Sequence, residues 1–294
     1  MQTHTLETDE TSVVYDVHGS LPPTDRRPLL FMIGQPMEAN GFYALASHFP
    51  DRTVVTYDPR GLGRSVRKDG RVDNDPAVQA RDLHHLIGHL GAGPVEMFAS
   101  SGGATTSLAL VSQHPNDVIT LVAHEPPLPA VLPDKERAQR AMARFRHAYA
   151  SKGFGTGMAT FIATTMWRGE FTEDFLTQPL PNPAQFGMPD NDDGSRDDPL
   201  LSERSNPVTD YRPGVAALKS APTRIVIGMG EESAQVFTGR TSVAMAELLG
   251  QEVTVFPSHH GGFVGGDSPF AGKPQEFSVK LRQVLAVEPN PATK

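Results

Sequence analysis

Short apolar runs recur along the chain with room for about one helix between them. They are VVYDV (13–17), LLFMI (29–33), TVVTYD (53–58), VEMFA (95–99), VITLVA (118–123), RIVIGM (224–229) and VTVF (253–256). Most are apolar almost throughout, and a strand of that kind is buried on both faces, as in a parallel sheet covered by helices. Between the runs the period changes. Leu83, Leu86, Ile87 and Leu90 share one face of 76–90, and Gly91 follows where a helix C-cap needs a left-handed residue. Helices are also predicted over 103–113, 241–249 and 275–287. This alternation predicts an α/β fold with a mostly parallel, doubly wound sheet.

The alternation stops between 127 and 220. A proline cluster (Pro126, Pro127, Pro129, Pro133) opens that stretch, helix-like segments follow near 135–150 and 155–167, and PDNDDGSRDDP (189–199) is a polar loop. No strand pattern occurs there. The expectation is a core of 1–126 and 221–294 with a helical cap, 127–220, inserted into it. The five aspartates of the loop read as a solvated turn. A calcium loop of the EF-hand kind would need ligands at fixed alternate positions and a closing Glu.

Composition narrows the chemistry. With 38 % hydrophobic and 20 % charged residues in 294, the chain is an ordinary globular one rather than a disordered one. A net charge of -8 works against nucleic acid and anionic membrane as partners. The absence of cysteine removes disulfides, thiolate metal sites and a cysteine nucleophile together. MQTHTLETDE lacks the basic and apolar regions of a signal peptide, and no apolar run is long enough to span a bilayer. A cytoplasmic protein acting on a small molecule is expected; the oligomeric state is left open.

The sharpest local pattern is VEMFASSGGATTSLAL (95–110), a buried strand running through Ala99-Ser100-Ser101-Gly102-Gly103 into a helix. A nucleophile held on a tight strand-turn-helix elbow needs small residues two before and two after it. Centring on Ser101 satisfies both positions, whereas centring on Ser100 puts Phe98 in one of them. The competing reading is a Ser/Gly turn that caps the helix or cradles a phosphate, and no Lys of a Walker loop lies nearby. A serine hydroxyl also needs a base. VTVFPSHHGGFV (253–264) supplies His260, with His259 as the fallback, on a loop after a strand. A zinc reading of this pair lacks a third ligand at helical spacing, and no H-E-x-x-H is present.

Taken in order, Gly34-Gln35-Pro36, Tyr57-Asp58-Pro59-Arg60-Gly61-Leu62-Gly63-Arg64-Ser65, the elbow at 99–103 and His260 resemble an α/β-hydrolase-fold protein of the cap-bearing serine esterase type. Epoxide hydrolases and haloalkane dehalogenases of the same fold place Asp where Ser101 stands, so the resemblance implies an ester-type hydrolase. It implies oxyanion donors at the amides of Gln35 and Gly102, although Ile33-Gly34 replaces the His-Gly often found there. Met37 is a substitute for Gln35. The usual triad Asp would follow RIVIGM, but the chain reads Gly228-Met229-Gly230-Glu231-Glu232-Ser233. Dehalogenase relatives carry the acid at the end of the preceding strand, where this chain has His124-Glu125-Pro126-Pro127. Glu125 is the favoured acid, with Glu231 and Glu232 as alternatives.

Asp58 and Arg60 are read as ties within the loop that supports the elbow. Met37, Phe42, Trp167 and Phe263 are candidates to line a substrate site, packing being the alternative for the aromatics. The implied activity is cleavage of a small carboxylic ester, lactone or thioester through an acyl-enzyme, with no cofactor and no metal. The same triad also serves carbon–carbon bond hydrolysis or perhydrolysis. A non-catalytic ligand-binding protein on the hydrolase scaffold is the third reading.

Overall fold

The computed structural model describes residues 1–24, 26–267 and 271–287. Its strands are β1 (Gln2–Glu7), β2 (Thr11–His18), β3 (Leu30–Ile33), β4 (Val54–Tyr57), β5 (Val66–Arg67), β6 (Val95–Ser100), β7 (Val118–His124), β8 (Arg224–Gly230) and β9 (Thr254–Phe256). Among the described residues they form one sheet in the order β1-β2-β4-β3-β6-β7-β8-β9, with β5 beside β2. The pairings of β2 with β1, β4 and β5 are antiparallel, and all the others are parallel.

The helices are α1 (Tyr43–Ala46), α2 (Pro76–Leu90), α3 (Gly102–Gln113), α4 (Lys135–Thr165), α5 (Glu173–Thr177), α6 (Asn206–Asp210), α7 (Val215–Ser220), α8 (Phe237–Leu249) and α9 (Pro274–Leu285). On β3, Phe31 and Ile33 enter the apolar layer shared with α2, α3 and α8, while Leu30 and Met32 enter the layer shared with α1 and α9. Two covered faces are the reason such strands read as unbroken apolar runs. Local chemistry sets the helix ends. Asp75 accepts the Ala77 amide at 2.8 Å, Pro76 occupies the first turn of α2, and Gly91 ends it at φ 62°.

Each of the seven apolar runs lies on one of the strands β2, β3, β4, β6, β7, β8 and β9. Two strands carry no such run. β1 is exposed except at Leu6 and β5 is two residues long, so neither has a buried face to impose a pattern. α8 begins at Phe237, four residues before the predicted start at 241.

Between β7 and β8 the described residues hold helices and loops but no strand. α4 breaks at Gly153, whose φ of 80° disfavours any L side chain; a Cβ there would also collide with Asp192. Met142, Phe145, Tyr149, Phe171 and Phe175 give this insertion its own apolar cluster, which Phe237 of α8 joins. A buried ion pair between Asp134 and Arg240 ties the insertion to α8. The aspartate loop is a series of turns. Asp192 pairs with Arg196, Asp193 accepts the Ser195 amide, and Asp198 accepts those of Leu200 and Leu201. Among the described residues no helix is long and apolar enough to cross a membrane.

Candidate active site

β6 ends at Ser100 and α3 starts at Gly102, so Ser101 alone makes the turn, at φ 57° and ψ -129°. An L-residue held there carries strain of about 1–3 kcal/mol, which the surroundings must over-determine. They do so through the backbone. Ser101 N donates to His124 O at 2.9 Å, and Ser101 O accepts the Ala104 amide at 2.9 Å. The small neighbours have a steric cause. A Cβ on Gly103 would stand 2.6 Å from Gly34 Cα, and one on Gly102 would stand 2.8 Å from Gln35 O and 3.2 Å from Val208 Cγ1 of α6. The Gly34-Gln35 loop therefore lies on the elbow, with α6 of the insertion beside it. Ser100 is buried, its hydroxyl 3.3 Å from His124 Nδ1.

The next parallel strand, β7, delivers Glu125 just past its end. Its backbone turns at φ 50°, and its amide donates to Gly228 O at 3.0 Å. The carboxylate is fully enclosed. Oε1 accepts the Gly230 amide at 2.8 Å, while Oε2 accepts from the Thr238 hydroxyl and from His260 Nδ1, the latter at 2.7 Å. An ionised carboxylate only accepts, so His260 donates through Nδ1, and Nε2 takes no part in that bond. The His260 side chain is 42 % exposed, half open to solvent. Ser101 Oγ forms no hydrogen bond among the described residues, to His260 or to any other group. The imidazoles of His124 and His260 lie 6.2 Å apart between centroids.

Electrostatics follow from this packing. Burial alone would raise the Glu125 pKa, but the hydrogen bond and charge of His260, then His124 and the Thr238 hydroxyl, hold it well below the usual carboxylate range. His124 is pushed down to about 4, by burial first and by repulsion from His260 last, with Glu125 opposing. It is a neutral group in the interior; its Nε2 lies 4.0 Å from Glu125 Oε1 and has no hydrogen-bond partner among the described residues.

The other acids lie elsewhere. Glu231 and Glu232 are exposed; Glu231 accepts the Ser258 amide at 3.0 Å and faces Lys273 Nζ at 3.7 Å. Neither bonds His260. His259 closes its own turn, its Nδ1 accepting the Gly261 amide at 3.0 Å. The glycine-rich turn, a buried acid and an imidazole from three different sheet connections thus all lie at the carboxyl edge of the sheet, the acid and the imidazole in direct contact.

The family model for the alpha/beta hydrolase fold matches residues 27–267. The chain belongs to the α/β-hydrolase fold family. Among curated relatives it is 26 % identical over 287 residues to the uncharacterized hydrolase YraK of Bacillus subtilis (strain 168), covering 97 % of this chain and 96 % of that one. Among solved structures it is similar to a thermophilic esterase from Thermogutta terrifontis, with TM-score 0.62 and 18 % identity over 97 % of this chain and 98 % of that one. It is also similar to an alpha/beta hydrolase from Sphaerobacter thermophilus DSM 20745, with TM-score 0.59 and 19 % identity over 96 % and 100 %. The chain is accordingly a hydrolase of this fold.

In this α/β-hydrolase, Asp58 and Arg60 are ties. Asp58 accepts the Ala39 amide at 2.9 Å and the Arg64 amide at 2.9 Å, and Arg60 Nε reaches Asp82 at 2.7 Å. Two expected substrate contacts need correction. Phe42 and Phe263 are 0 % and 2 % exposed and stack face to face, centroids 5.0 Å apart, so they support the Gly34 loop from within the core. Trp167 packs on Phe175 and donates to Glu170 O at 2.9 Å, contacts internal to the insertion. Met37 stays partly exposed beside Gly34 and Gly41. Gln35 is buried; its Oε1 accepts the Thr106 hydroxyl at 3.3 Å while its Nε2 has no hydrogen-bond partner among the described residues. A cavity of about 620 Å³ is lined by Val72, Arg146, Tyr149, Ser202 and Arg204 among others.

Sequence reasoning passed over Thr238, the Gly230 amide and His124. The first two belong to segments with no motif of their own. His124 stood beside the favoured acid, and only its burial separates it from an ordinary loop histidine.

Proposed function

We propose that this α/β-hydrolase cleaves a small carboxylic ester, lactone or thioester through an acyl-enzyme on Ser101. The observation that carries the reading is the fully enclosed Glu125, bonded to His260 Nδ1 beside a strained serine. That bond fixes the imidazole tautomer and offsets the positive charge that forms when Nε2 takes the serine proton. A Ser101–His260 hydrogen bond closes when substrate enters, since such bonds are commonly loose in empty sites. His260 then returns the proton to the leaving group, and a water activated by the same ring releases the acid.

The Gln35 and Gly102 amides are the proposed oxyanion donors. Gly102 opens α3, where a helix amide has no acceptor of its own and the dipole favours negative charge. The bare Gly34 and Gly103 let the two backbones approach closely enough to share one oxygen. Losing such a donor costs roughly 10²–10³ in rate. Residues 127–220 act as the cap, with Val208 roofing the elbow. The reading calls for no cofactor and no metal at this site, and it places the enzyme in the cytoplasm with a small-molecule substrate.

The test is mass labelling with a serine-directed fluorophosphonate, followed by turnover of a panel of activated esters. One adduct at Ser101, lost in Ser101→Ala, together with ester turnover supports the reading. An unlabelled Ser101 in folded protein overturns it. Turnover of β-diketones but not esters transfers the same triad to carbon–carbon hydrolysis.

A further inference from the structure

Three ligand-type side chains meet at the opposite edge of the sheet. His84 comes from α2, His114 follows the last residue of α3, and Asp117 sits in the turn that enters β7. One ring nitrogen from each histidine and one Asp117 oxygen lie within 4.8 Å of one another, and all three residues are half-buried. His84 Nδ1 stands 2.7 Å from Asp117 Oδ2, and the two imidazoles stack at 3.8 Å between centroids with 8° between planes. The backbone beneath them is fixed. His114 N donates to Leu110 O at 2.7 Å, Asp117 N to His114 O at 3.1 Å, and Val95 N to Asp117 O at 2.9 Å.

We propose that His84, His114 and Asp117 form a binding site for a divalent transition-metal ion of the Zn²⁺, Ni²⁺ or Cu²⁺ kind. Two imidazoles and one carboxylate select these ions over Mg²⁺ and Ca²⁺, which prefer all-oxygen sets. Metal–ligand bonds of about 2.0–2.2 Å put ligand atoms roughly 3.3 Å apart, so on loading the widest separation closes by at most about 1.5 Å while the His84 Nδ1–Asp117 Oδ2 pair, at 2.7 Å, opens slightly. Rotation of partly exposed side chains supplies that distance while the backbone stays still, and the stacked rings tilt so that their lone pairs converge. The Arg81 guanidinium adds positive potential nearby.

β7 runs seven residues from this turn to His124, roughly 20 Å at 3.3 Å per residue. An ion here lies too far from Glu125 to touch a reacting bond. It would act as a staple joining α2, the end of α3 and the entry to β7. No spacing in the sequence announces the site, because its members sit on three elements.

The experiment uses untagged full-length protein dialysed against Zn²⁺, with bound metal counted, and Co²⁺ as a visible-absorption probe. The expected result is one saturable equivalent and a rise in Tm on loading. His84→Gln, His114→Asn and Asp117→Asn should each weaken binding by about tenfold or more, since even outer-shell losses cost about 10–100-fold. His147→Gln, an exposed histidine elsewhere, should not. If a variant fails to fold, Cu²⁺ resonance of the wild type decides, with coupling to two imidazole nitrogens expected. No saturable binding, binding indifferent to all three substitutions, or a Cu²⁺ spectrum without those two nitrogens would overturn the proposal.

Discussion

At the elbow, main chain meets main chain: Gly103 has the Gly34 backbone where its own Cβ would be, and Ser101 N is bonded to His124 O. In the insertion above it, arginine side chains reach out to backbone carbonyls instead. Arg137 bonds Phe171 O, Arg144 bonds Gln178 O and Pro179 O, and Arg204 bonds Val72 O and Asp197 O. Close backbone contact tolerates almost no displacement, because any shift creates overlap or loses several bonds together. Long side chains on carbonyls can re-form after a shift of an ångström or more. Position is therefore fixed at the sheet edge, while the insertion above it is adjustable.

This contrast can be broken most severely at the serine. Ser101→Ala should lower ester turnover by about 10⁵–10⁶ and leave Tm unchanged, read by initial rates and a thermal melt. Glu125→Gln keeps the shape but not the charge, and kcat/KM should fall by about 10³–10⁴. Glu231→Gln and Glu232→Gln should each change it by less than about threefold; a large loss at either would move the acid to the loop after β8.

Proton linkage at His124 tests the rigid side further. The ring is neutral in the fold, with its pKa pushed down to about 4, and binds a proton in the unfolded chain below its ordinary 6.5. The unfolded chain thus holds the extra proton between about pH 6.5 and 4, so stability falls as pH falls through that window. The loss assignable to this ring is a few kcal/mol. Urea unfolding at several pH values should show His124→Gln with the shallower dependence. Gly103→Ala, which places a Cβ 2.6 Å from Gly34 Cα, should cost about 1–3 kcal/mol by the same method. The smallest effect belongs to the insertion. Arg140→Ala removes an exposed pair with Glu173 and should shift Tm by about 1 °C or less.

Legibility followed the same division. Strands buried on both faces were visible as apolar runs, and Gly91 as a cap, because burial and φ constrain residue type directly. The elbow was visible for the same reason, since only small side chains fit at Ala99, Gly102 and Gly103. Phe42 and Phe263 misled because an aromatic ring looks alike in a core and beside a substrate. Thr238, the Gly230 amide and the His84–His114–Asp117 group depend on long-range packing. A hydroxyl, a backbone N–H and two surface histidines carry no local pattern. β1 was silent because an exposed ribbon places little demand on its side chains.

Glu125 precedes the insertion in the chain, only 24 residues after Ser101 and on the neighbouring strand connection. The serine and its proposed acid are thus one contiguous cassette, 95–125, which an exchange of the whole segment 127–220 leaves untouched. Grafting a foreign roof onto this scaffold then asks only that the later loop bring back an imidazole, so new selectivity can be tried without rebuilding the chemistry.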